Sequence, residues 1–321
     1  MKPIRYYTNR LLTDISYDLK LITVPTYPIR LDIESTTYCN LDCRMCPRSK
    51  MERRDMHMDF DMFRSVIDPL APYLSSVSMH LFGEPLMAPD FLKMVTYCNG
   101  HGIKTEASTN ATLLDEPTAV SVINSGLHTL TISLDGASKE TYEYIRRNSD
   151  YEKVVRHIHN FMRIKGDWGG PRVRLQCIKM KETEPEIAAF KAKWADVMGP
   201  NDTLFIKPVD SYADESIEGF ATETEPLHYL DYCCPMPWHL LTVYADGRVV
   251  PCCKDYSGKN VLGNVNEKSI VDIWNDEPIQ ELRRKIKNLD YNEIDLCSTC
   301  KMHETERCHL GLMHTIKKFK K

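Results

Sequence analysis

Residues 29–46 read IRLDIESTTYCNLDCRMC, and the organisation of the chain can be worked out from this stretch. Its first seven residues have the composition of a β-strand, and Cys39, Cys43 and Cys46 follow them with the spacing CxxxCxxC. Three thiolates can hold a four-iron cluster and leave the fourth iron open for another ligand, whereas a structural zinc ion takes four protein ligands. A buried trio of free thiols and a zinc site completed from a distant segment are the alternatives.

Composition limits the class of protein. The chain has 321 residues, 42% of them hydrophobic, which suffices for one large domain and a smaller one. Its 12 cysteines occur in groups that are more typical of metal or cluster ligation than of disulfides in short secreted chains. The N-terminus lacks the apolar core of a signal peptide, and no run approaches the roughly 20 apolar residues that span a bilayer. We therefore expect a cytoplasmic protein without a membrane partner, and the net charge of -4 argues against nucleic-acid binding.

The first two-thirds of the chain alternates strand-like and helix-like segments. Such alternation is typical of parallel strands joined by crossover helices. Six strands are too few for a closed eight-stranded barrel, so an open doubly wound sheet and an incomplete barrel both remain. In both folds, chemistry gathers at the C-terminal ends of the strands. Strands are predicted near Leu31–Ser35, Val77–Phe82, Thr105–Asn110, Thr129–Leu134, Val173–Met180 and Thr203–Pro208, and helices near Phe60–Leu70, Phe91–Gly100, Glu116–Ser125, Tyr151–Lys165 (ended by Gly166) and Pro185–Val197.

Together with the cysteine loop, the motifs at these strand ends make the chain resemble the radical S-adenosylmethionine (SAM) superfamily. The resemblance covers residues 29–208 and implies an incomplete (β/α)6 barrel that binds a [4Fe-4S] cluster and SAM. The second strand ends in Phe82-Gly83-Glu84-Pro85, similar to the family's GGEP motif, whose backbone and carboxylate receive the SAM ammonium group. Phe82 replaces the first glycine of that motif. Met45 replaces the usual aromatic residue before the third cysteine, but it still offers an apolar surface for adenine.

The later strand ends supply further residues that the resemblance assigns to SAM. They would surround its ribose and carboxylate, with Arg146 as the carboxylate partner because an arginine fork can make two charge-assisted bonds. Taken singly, the same motifs also fit an ordinary turn, a helix cap and a solvated helix residue. The residues concerned are Ser108, Asn110, Ser133, Asp135 and Arg146.

A second set of cysteines lies in the C-terminal third. Cys234 precedes a predicted hairpin with strands at 241–244 and 248–250, and Cys252 follows it. Cys297 and Cys300 form a later CxxC. The arrangement resembles a Twitch or shortened SPASM auxiliary domain, a small α+β domain that holds one further [4Fe-4S] cluster.

Neighbouring cysteines leave the ligand assignment open. Adjacent strand residues point to opposite faces, so Cys252 and Cys253 are not expected to ligate one cluster together. We choose Cys252 from its spacing to the preceding glycine, and Cys234 over Cys233 on the same ground. A zinc site is the alternative, with a local ligand set of Cys297, Cys300, His303, Cys308 and His309.

Four segments follow from these motifs. They are an N-terminal extension (1–28), a radical SAM core (29–210), an acidic linker (211–230) and the auxiliary domain (231–321). Residues 208–226 contain six acidic residues and no Lys or Arg. Such a run is either a solvated linker or the rim of a mouth suited to an amine-bearing substrate.

The resemblance implies that a reduced cluster cleaves SAM to a 5′-deoxyadenosyl radical, which abstracts hydrogen from a C–H bond. We predict an oxidoreductase for a small polar substrate of the sugar or aminocyclitol type, in which the auxiliary cluster accepts an electron. A sugar or peptide epimerase with the Cys253 thiol as hydrogen donor is the first alternative. A peptide-modifying maturase and a non-enzymatic iron–sulfur or zinc protein are the others. The expected partners are a small molecule or short peptide and a one-electron reductant such as flavodoxin or ferredoxin.

Overall fold

The structure is a computed structural model, and it describes residues 3–53, 55–209, 233–298 and 300. Secondary-structure elements are numbered in chain order. The strands are β1 (Arg30–Ile33), β2 (Asp42–Cys43), β3 (Ser76–Ser78), β4 (Lys104–Thr109), β5 (Thr129–Ser133), β6 (Arg146–Arg147), β7 (Arg172–Lys179), β8 (Thr203–Pro208), β9 (Leu240–Val243), β10 (Arg248–Val250) and β11 (Gly263–Asn264). The helices are α1 (Ile4–Asp18), α2 (Phe60–Ile67), α3 (Phe91–Gly100), α4 (Glu116–Asn124), α5 (Lys139–Ile145), α6 (Tyr151–Trp168), α7 (Ile187–Trp194), α8 (Met236–His239), α9 (Ile270–Ile273) and α10 (Glu277–Asn288).

Six strands form a parallel sheet in the order in which the chain supplies them. β1, β3, β4, β5, β7 and β8 lie side by side, and each is parallel to its neighbours. A doubly wound sheet would reverse its order at a switch point, and this order does not reverse. The six predicted strands and the incomplete (β/α)6 barrel are therefore confirmed, and the doubly wound alternative is wrong.

The two faces of this sheet differ in character. Right-handed crossovers that all advance in one direction leave their helices on one face. Along β1, Leu31 and Ile33 point to that outer face and belong to the same core cluster as Phe63 and Val66 of α2. Alternate residues of each strand point to the opposite side, which we call the inner face.

Several predicted element ends differ from the structure by a few residues, among them those of the second predicted strand and the fourth predicted helix. The predicted strand at Val77–Phe82 is shorter than expected, since β3 ends at Ser78. The helix that Gly166 was expected to end, α6, continues to Trp168. It stops at Gly169, whose φ of +76° is a left-handed conformation that glycine adopts without a Cβ clash.

The C-terminal part of the chain adds strands to the same sheet. β9 pairs in parallel with β1 on the side away from β3, and Leu31 lies opposite Leu241. The predicted hairpin is confirmed, because β10 returns antiparallel to β9 after a turn at Gly247, where φ is +87°. Among the described residues, one nine-stranded sheet thus includes strands from both predicted domains. The boundary between segments 29–210 and 231–321 stays a prediction.

The N-terminal extension contains a helix that joins the first and last parts of the chain. Tyr17 of α1 donates to the carbonyl of Cys233 at 2.6 Å, and its ring meets that of Trp238 edge-on. Asn9 exchanges two hydrogen bonds with the backbone of Tyr27, at 2.8 and 3.0 Å. These contacts place α1 beside α8, directly before the hairpin.

Arg283 of α10 is a buried cation that holds this region together. It is fully buried, and burial lowers its pKa to about 9, so it remains protonated at neutral pH. Its guanidinium donates to the carbonyls of Pro237, Ile22 and Trp274 at 3.0–3.1 Å and to Asn275 Oδ1 at 3.1 Å. Three separate chain segments therefore converge on one side chain.

We expect Arg283→Met to lower the free energy of unfolding by about 3 kcal/mol, because several buried carbonyls would lose their donor. The neighbouring Arg284→Met is the matched control. Arg284 is 41% exposed and pairs with glutamates on the surface of α10, so its removal is expected to cost much less stability than that of Arg283. Urea denaturation under anaerobic conditions measures both. Equal effects of the two substitutions would contradict the prediction.

Several sequence predictions lie outside the described residues. They are the acidic linker 211–230 and the zinc-ligand alternatives His303, Cys308 and His309. Cys98 and Cys177 are described, and both are buried core residues. Within the described part of the chain, no helix combines the length and the apolarity needed to cross a membrane.

Candidate functional site

The cysteine loop after β1 is fixed in place by a two-stranded ribbon. β2 pairs antiparallel with β6, so that Cys43 lies opposite Arg146. The amide of Arg44 donates to the carbonyl of Ile145 at 2.9 Å, and the amide of Cys46 donates to the carbonyl of Cys43 at 3.1 Å. The loop that leaves β1 is therefore anchored to the residues that end α5.

The thiols of this loop are close enough to one another to interact through their charges. Burial is the main reason that the pKa of Cys43 rises to about 12 and that of Cys46 to about 11, and the charge of Cys39 raises both further. Asn110 Nδ2 lies 3.9 Å from Cys39 Sγ, and Arg146 Nη1 lies 3.9 Å from Cys43 Sγ. A ligating thiol must be deprotonated, so bound iron would supply the positive charge that these buried thiolates lack.

Gly83 of the GGEP-like motif is packed against the segment that leads into the cysteine loop. A Cβ atom at this position would lie 2.1 Å from the carbonyl oxygen of Thr36 and 2.9 Å from that of Tyr38. The amide of Glu84 donates to the same Tyr38 carbonyl at 2.7 Å, and Pro85 is buried at the start of a short 3-10 turn. Only glycine fits between these backbones.

Glu84 ties the motif to the end of β4. It is 2% exposed, its Oε1 accepts from Thr109 Oγ1 at 2.7 Å, and its Oε2 accepts from the amide of Asn110 at 2.7 Å. Burial raises the pKa of Glu84 to about 7, although these hydrogen bonds act in the other direction. Glu84 therefore has a structural role, which is to hold Thr109 and Asn110. Each carboxylate oxygen can accept more than one hydrogen bond, so Glu84 could also receive the SAM ammonium group, and that role stays a prediction.

Arg146 and Asp135 form a buried ion pair next to the cysteine loop. Asp135 Oδ2 accepts from Arg146 Nε at 2.9 Å and lies 2.6 Å from Nη2, while Oδ1 accepts from the amide of Ile178 at 2.7 Å. The predicted carboxylate partner of SAM thus already holds one carboxylate, and its remaining nitrogen faces Cys43. The assignment of Arg146 to the SAM carboxylate stays a prediction.

The other residues assigned to SAM lie in the same region. Met45 packs with Ile145 and Met180 in a small apolar cluster beside the loop. Ser108 Oγ and Ser133 Oγ lie 3.3 Å apart on neighbouring strands. The structure therefore brings the predicted residues of four strand ends together around the cysteine loop.

The second cysteine set also converges. Burial raises the pKa of Cys234 well above its usual value, and the charges of Cys297 and Cys300 add to this shift. Burial likewise raises the pKa of Cys252, and the charges of Cys297 and Cys234 act in the same direction. These four cysteines, far apart in the sequence, therefore lie within electrostatic reach of one another.

The neighbouring cysteines Cys233 and Cys253 lie close to Cys234 and Cys252 and also act on other groups. The carbonyl of Cys233 accepts from Tyr17, and the charge of Lys20 partly offsets the rise that burial causes in the pKa of Cys233. Burial lowers the pKa of Arg30, but neighbouring negative charges, that of Cys253 included, raise it above its usual value. Arg30 lies on the inner face of β1. The choice of Cys234 and Cys252 as ligands stays a prediction that this geometry supports.

The spacing of the cysteines bears on the kind of metal centre. In the described part of the chain, no three His, Cys, Asp or Glu side chains converge closely enough to hold a single metal ion. The ligands of a zinc ion all lie about 2.0–2.3 Å from one point. The cysteines of a four-iron cluster each bind a different iron and are therefore further apart. The zinc alternative, whose ligands include His303, Cys308 and His309 outside the described residues, stays a prediction.

Known sequence families match both parts of the chain. The Radical SAM superfamily matches residues 33–168, and the SPASM iron-sulfur cluster-binding domain matches residues 233–301. The protein belongs to the radical SAM superfamily. Its C-terminal part is a SPASM domain. These domains imply [4Fe-4S] clusters and SAM as cofactors, and each domain contains one of the two buried thiol sets.

Two curated relatives match most of this radical SAM protein. One is the S-adenosyl-L-methionine-dependent 2-deoxy-scyllo-inosamine dehydrogenase of Niallia circulans, 22% identical over 284 residues that cover 84% of this chain and 91% of the relative. The other is the tungsten-containing aldehyde ferredoxin oxidoreductase cofactor-modifying protein of Pyrococcus furiosus, 26% identical over 310 residues that cover 84% of this chain and 86% of the relative.

Solved structures show the same fold. BtrN in complex with AdoMet and 2-DOIA has a TM-score of 0.58 and 17% identity, and the match covers 88% of this chain and 96% of BtrN. Streptococcus suis SuiB bound to the precursor peptide SuiA has a TM-score of 0.63 and 20% identity, with 94% and 75% covered. At such identities the likeness extends to the fold alone.

A buried ion pair that the sequence analysis missed joins the radical SAM core to the SPASM domain. Arg53 donates two hydrogen bonds to Glu34 at the end of β1, from Nε to Oε2 at 3.0 Å and from Nη2 to Oε1 at 2.9 Å. Both side chains are at most 3% exposed. Arg53 also donates to the carbonyl of Tyr256 and lies 3.5 Å over the ring of Tyr244. Glu34 Oε2 in turn accepts from the amide of Ala245 at 3.3 Å. The only signal in the sequence was a charged residue at the end of a predicted strand.

Phe82, which replaces the first glycine of the GGEP motif, belongs to the same junction. Its ring meets that of Tyr256 edge-on, with centroids 6.1 Å apart, and Met51 completes the cluster. The departure from the family motif therefore supplies a contact between the radical SAM core and the SPASM domain.

We expect Gly83→Ala to lower the free energy of unfolding by about 2 kcal/mol or more, because the added methyl group would overlap the backbone of Thr36. Gly100→Ala is the matched control, since a Cβ there meets no atom within 4 Å. Urea denaturation of both variants tests the stability. Iron content after reconstitution tests whether the cysteine loop still folds; wild-type values for Gly83→Ala in both measurements would contradict the packing described here.

Proposed function

We propose that this protein is a radical SAM oxidoreductase that dehydrogenates a small polar substrate of the sugar or aminocyclitol type. The observation that carries the proposal is the polarity of the inner face beneath the cysteine loop. Closed barrels of this kind are usually filled by layers of Val, Ile and Leu. Here most residues of the inner face are polar, among them Arg30, Asp32, Ser78, Glu106, Ser108, Thr131, Ser133, Arg174, Gln176 and Thr242, while Leu240, Ile178 and Phe205 are apolar.

Such a face cannot close into a dry core, because each buried polar group would need a hydrogen-bond partner. The outer face of the same strands is mainly apolar, with Leu31, Val77, Ala107, Leu130 and Val173 in one core cluster. The contrast within single strands indicates that the inner face is shaped for a polar ligand. A sugar or cyclitol has the density of hydroxyl groups that this face can satisfy.

When bound, the cluster and SAM would supply the one-electron chemistry needed to remove hydrogen from an unactivated C–H bond. The side chains of the protein fix the positions of the segments that surround the cofactor site. Glu84 and the Asp135–Arg146 pair fix the strand ends and the cysteine loop relative to one another. Glu84, Asp135 and Arg146 are themselves buried, which limits the access of water to this side of the site.

The four cysteines of the SPASM domain support an oxidative outcome. Cys234, Cys252, Cys297 and Cys300 would hold a second cluster that could take up the electron lost when a substrate radical also releases its hydroxyl proton to solvent and becomes an oxidised product. The likeness to a SAM-dependent dehydrogenase over most of both chains agrees with this assignment. A one-electron donor such as flavodoxin or ferredoxin would reduce the first cluster.

An epimerase is the second candidate, and the position of Cys253 favours it. The charge of Cys253 acts on Arg30, which lies on the inner face of β1, so its thiol lies near the proposed substrate site. It also acts on the neighbouring Cys252. A thiol in that place is able to return a hydrogen atom to a substrate radical.

We expect about eight irons per chain after anaerobic reconstitution, and about four in a Cys39→Ala, Cys43→Ala, Cys46→Ala variant, because each cubane cluster contains four. With dithionite, only the wild type should convert SAM to 5′-deoxyadenosine. A Cys98→Ala, Cys177→Ala variant is the control, since these buried core cysteines should leave the iron content unchanged. Absence of iron, or of SAM cleavage by the loaded wild type, would refute the proposed function.

The dehydrogenase and the epimerase differ in whether the product takes up hydrogen from the solvent. For a dehydrogenase, Cys253→Ala should keep most of its turnover, and the product should gain no deuterium from D2O. For an epimerase, the product carbon should carry deuterium, and Cys253→Ala should lose turnover by about 100-fold or more. Mass spectrometry of the product decides between them, with Cys233→Ala as the control.

A further inference from the structure

Two buried oxygen atoms on the inner face have no hydrogen-bond partner. They are Asp32 Oδ2 of β1 and Thr242 Oγ1 of β9, and neither finds a partner in the described part of the chain. Asp32 is 2% exposed and Thr242 is fully buried. The two residues are register partners in the β1–β9 pair, so their side chains stand next to each other on one face.

Two carboxylates and one arginine lie around these oxygens. Arg30 pairs with the other oxygen of Asp32, with Nε at 3.0 Å and Nη2 at 2.9 Å from Oδ1. Glu106 lies on the same face two strands away, opposite Ser78, which is itself opposite Asp32. It is close enough for its charge to act on Arg30. Arg172 and Arg174 lie on the far side of Glu106, across β5.

A buried oxygen without a partner destabilises the fold unless a ligand or water completes it. Asp32 Oδ2 and Thr242 Oγ1 belong to neighbouring side chains on the inner face, and they form no hydrogen bond with each other. Arg30 beside them is 25% exposed, so the place borders on the open part of the inner face. A group between the two oxygens would satisfy both, and the nearby carboxylates of Asp32 and Glu106 favour a cation.

We propose that Asp32 and Thr242 form a subsite for a protonated amino group of the substrate, with Glu106 as the second carboxylate nearby. An ammonium group has three donors, which suits two unpartnered acceptors and a nearby carboxylate. Asp32 lies on the strand that leads into the cysteine loop, so a substrate anchored there lies beneath the residues assigned to SAM. The subsite deepens the proposed function and rests on the substrate binding at the inner face.

The test compares an amine with its hydroxyl counterpart. Isothermal titration calorimetry of the anaerobically reconstituted protein would use two matched pairs: glucosamine with glucose, and 2-deoxy-scyllo-inosamine with 2-deoxy-scyllo-inositol. We expect at least one amine to bind about tenfold or more tightly than its counterpart. Asp32→Asn should abolish this preference, and Thr242→Val should weaken amine binding by about tenfold.

Thr105→Val is the matched control. Thr105 also carries a fully buried hydroxyl without a partner, but it lies on the outer face of β4. Both threonine variants should melt at or above the wild-type temperature, because each removes an unsatisfied polar group. Only Thr242→Val should weaken amine binding. A merely structural role of Thr242 would instead lower the melting temperature and leave the binding preference intact.

The outcomes separate this proposal from the proposed function. If the wild type shows no preference for either amine, or if Thr242→Val binds amines as tightly as Thr105→Val does, the subsite is refuted. Formation of 5′-deoxyadenosine in the same preparation would then still support the radical SAM oxidoreductase. Loss of the amine preference in Asp32→Asn is the second test of the subsite. If Asp32→Asn does not fold, amine binding by Thr242→Val is the test that remains.

Discussion

The parallel pairing of β9 with β1 is the constraint on which the rest of the structure depends. It makes the first strand of the barrel an interior strand, with β3 on one side and the SPASM hairpin on the other. The cysteine loop leaves the end of that same strand, and β10 leads back toward Cys252. Because a ladder of backbone hydrogen bonds fixes register, the positions of the two cysteine sets are set by one strand pair.

Buried charges around this strand specify position more than they add stability. The Glu34–Arg53 pair fastens the SPASM hairpin to the end of β1, and the Asp135–Arg146 pair fastens the cysteine loop to the end of β5. Removing ions from water is costly, so such pairs stabilise little on balance, but breaking one partner is expensive. Any arrangement of the loop, strand and hairpin that separated either pair would leave a buried charge without its partner, so both pairs favour the one arrangement seen here.

The sheet also divides its chemistry by face. The residues of β1 that point outward complete a hydrophobic core with the helices, while Arg30, Asp32 and Glu34 point inward and remain polar. Glu34, at the end of the strand, accepts a hydrogen bond from the SPASM domain. Asp32, two residues earlier on the same face, has one carboxylate oxygen without a hydrogen-bond partner among the described residues. One strand thus serves domain assembly and the proposed substrate binding at successive inward positions.

The sequence by itself determined what depends on neighbouring residues: the cysteine spacings, the six alternating strands, the hairpin at Gly247 and the glycine of the GGEP-like motif. It misplaced the end of α6, because a glycine such as Gly166 is tolerated within a helix and only the positive φ of Gly169 ends it. Tertiary structure alone decided the singly wound order, the insertion of β9 beside β1 and the meeting of Glu34 with Arg53. Pairing between residues some 210 positions apart leaves no local pattern, and an unpartnered oxygen such as that of Asp32 exists only once all its neighbours are in place.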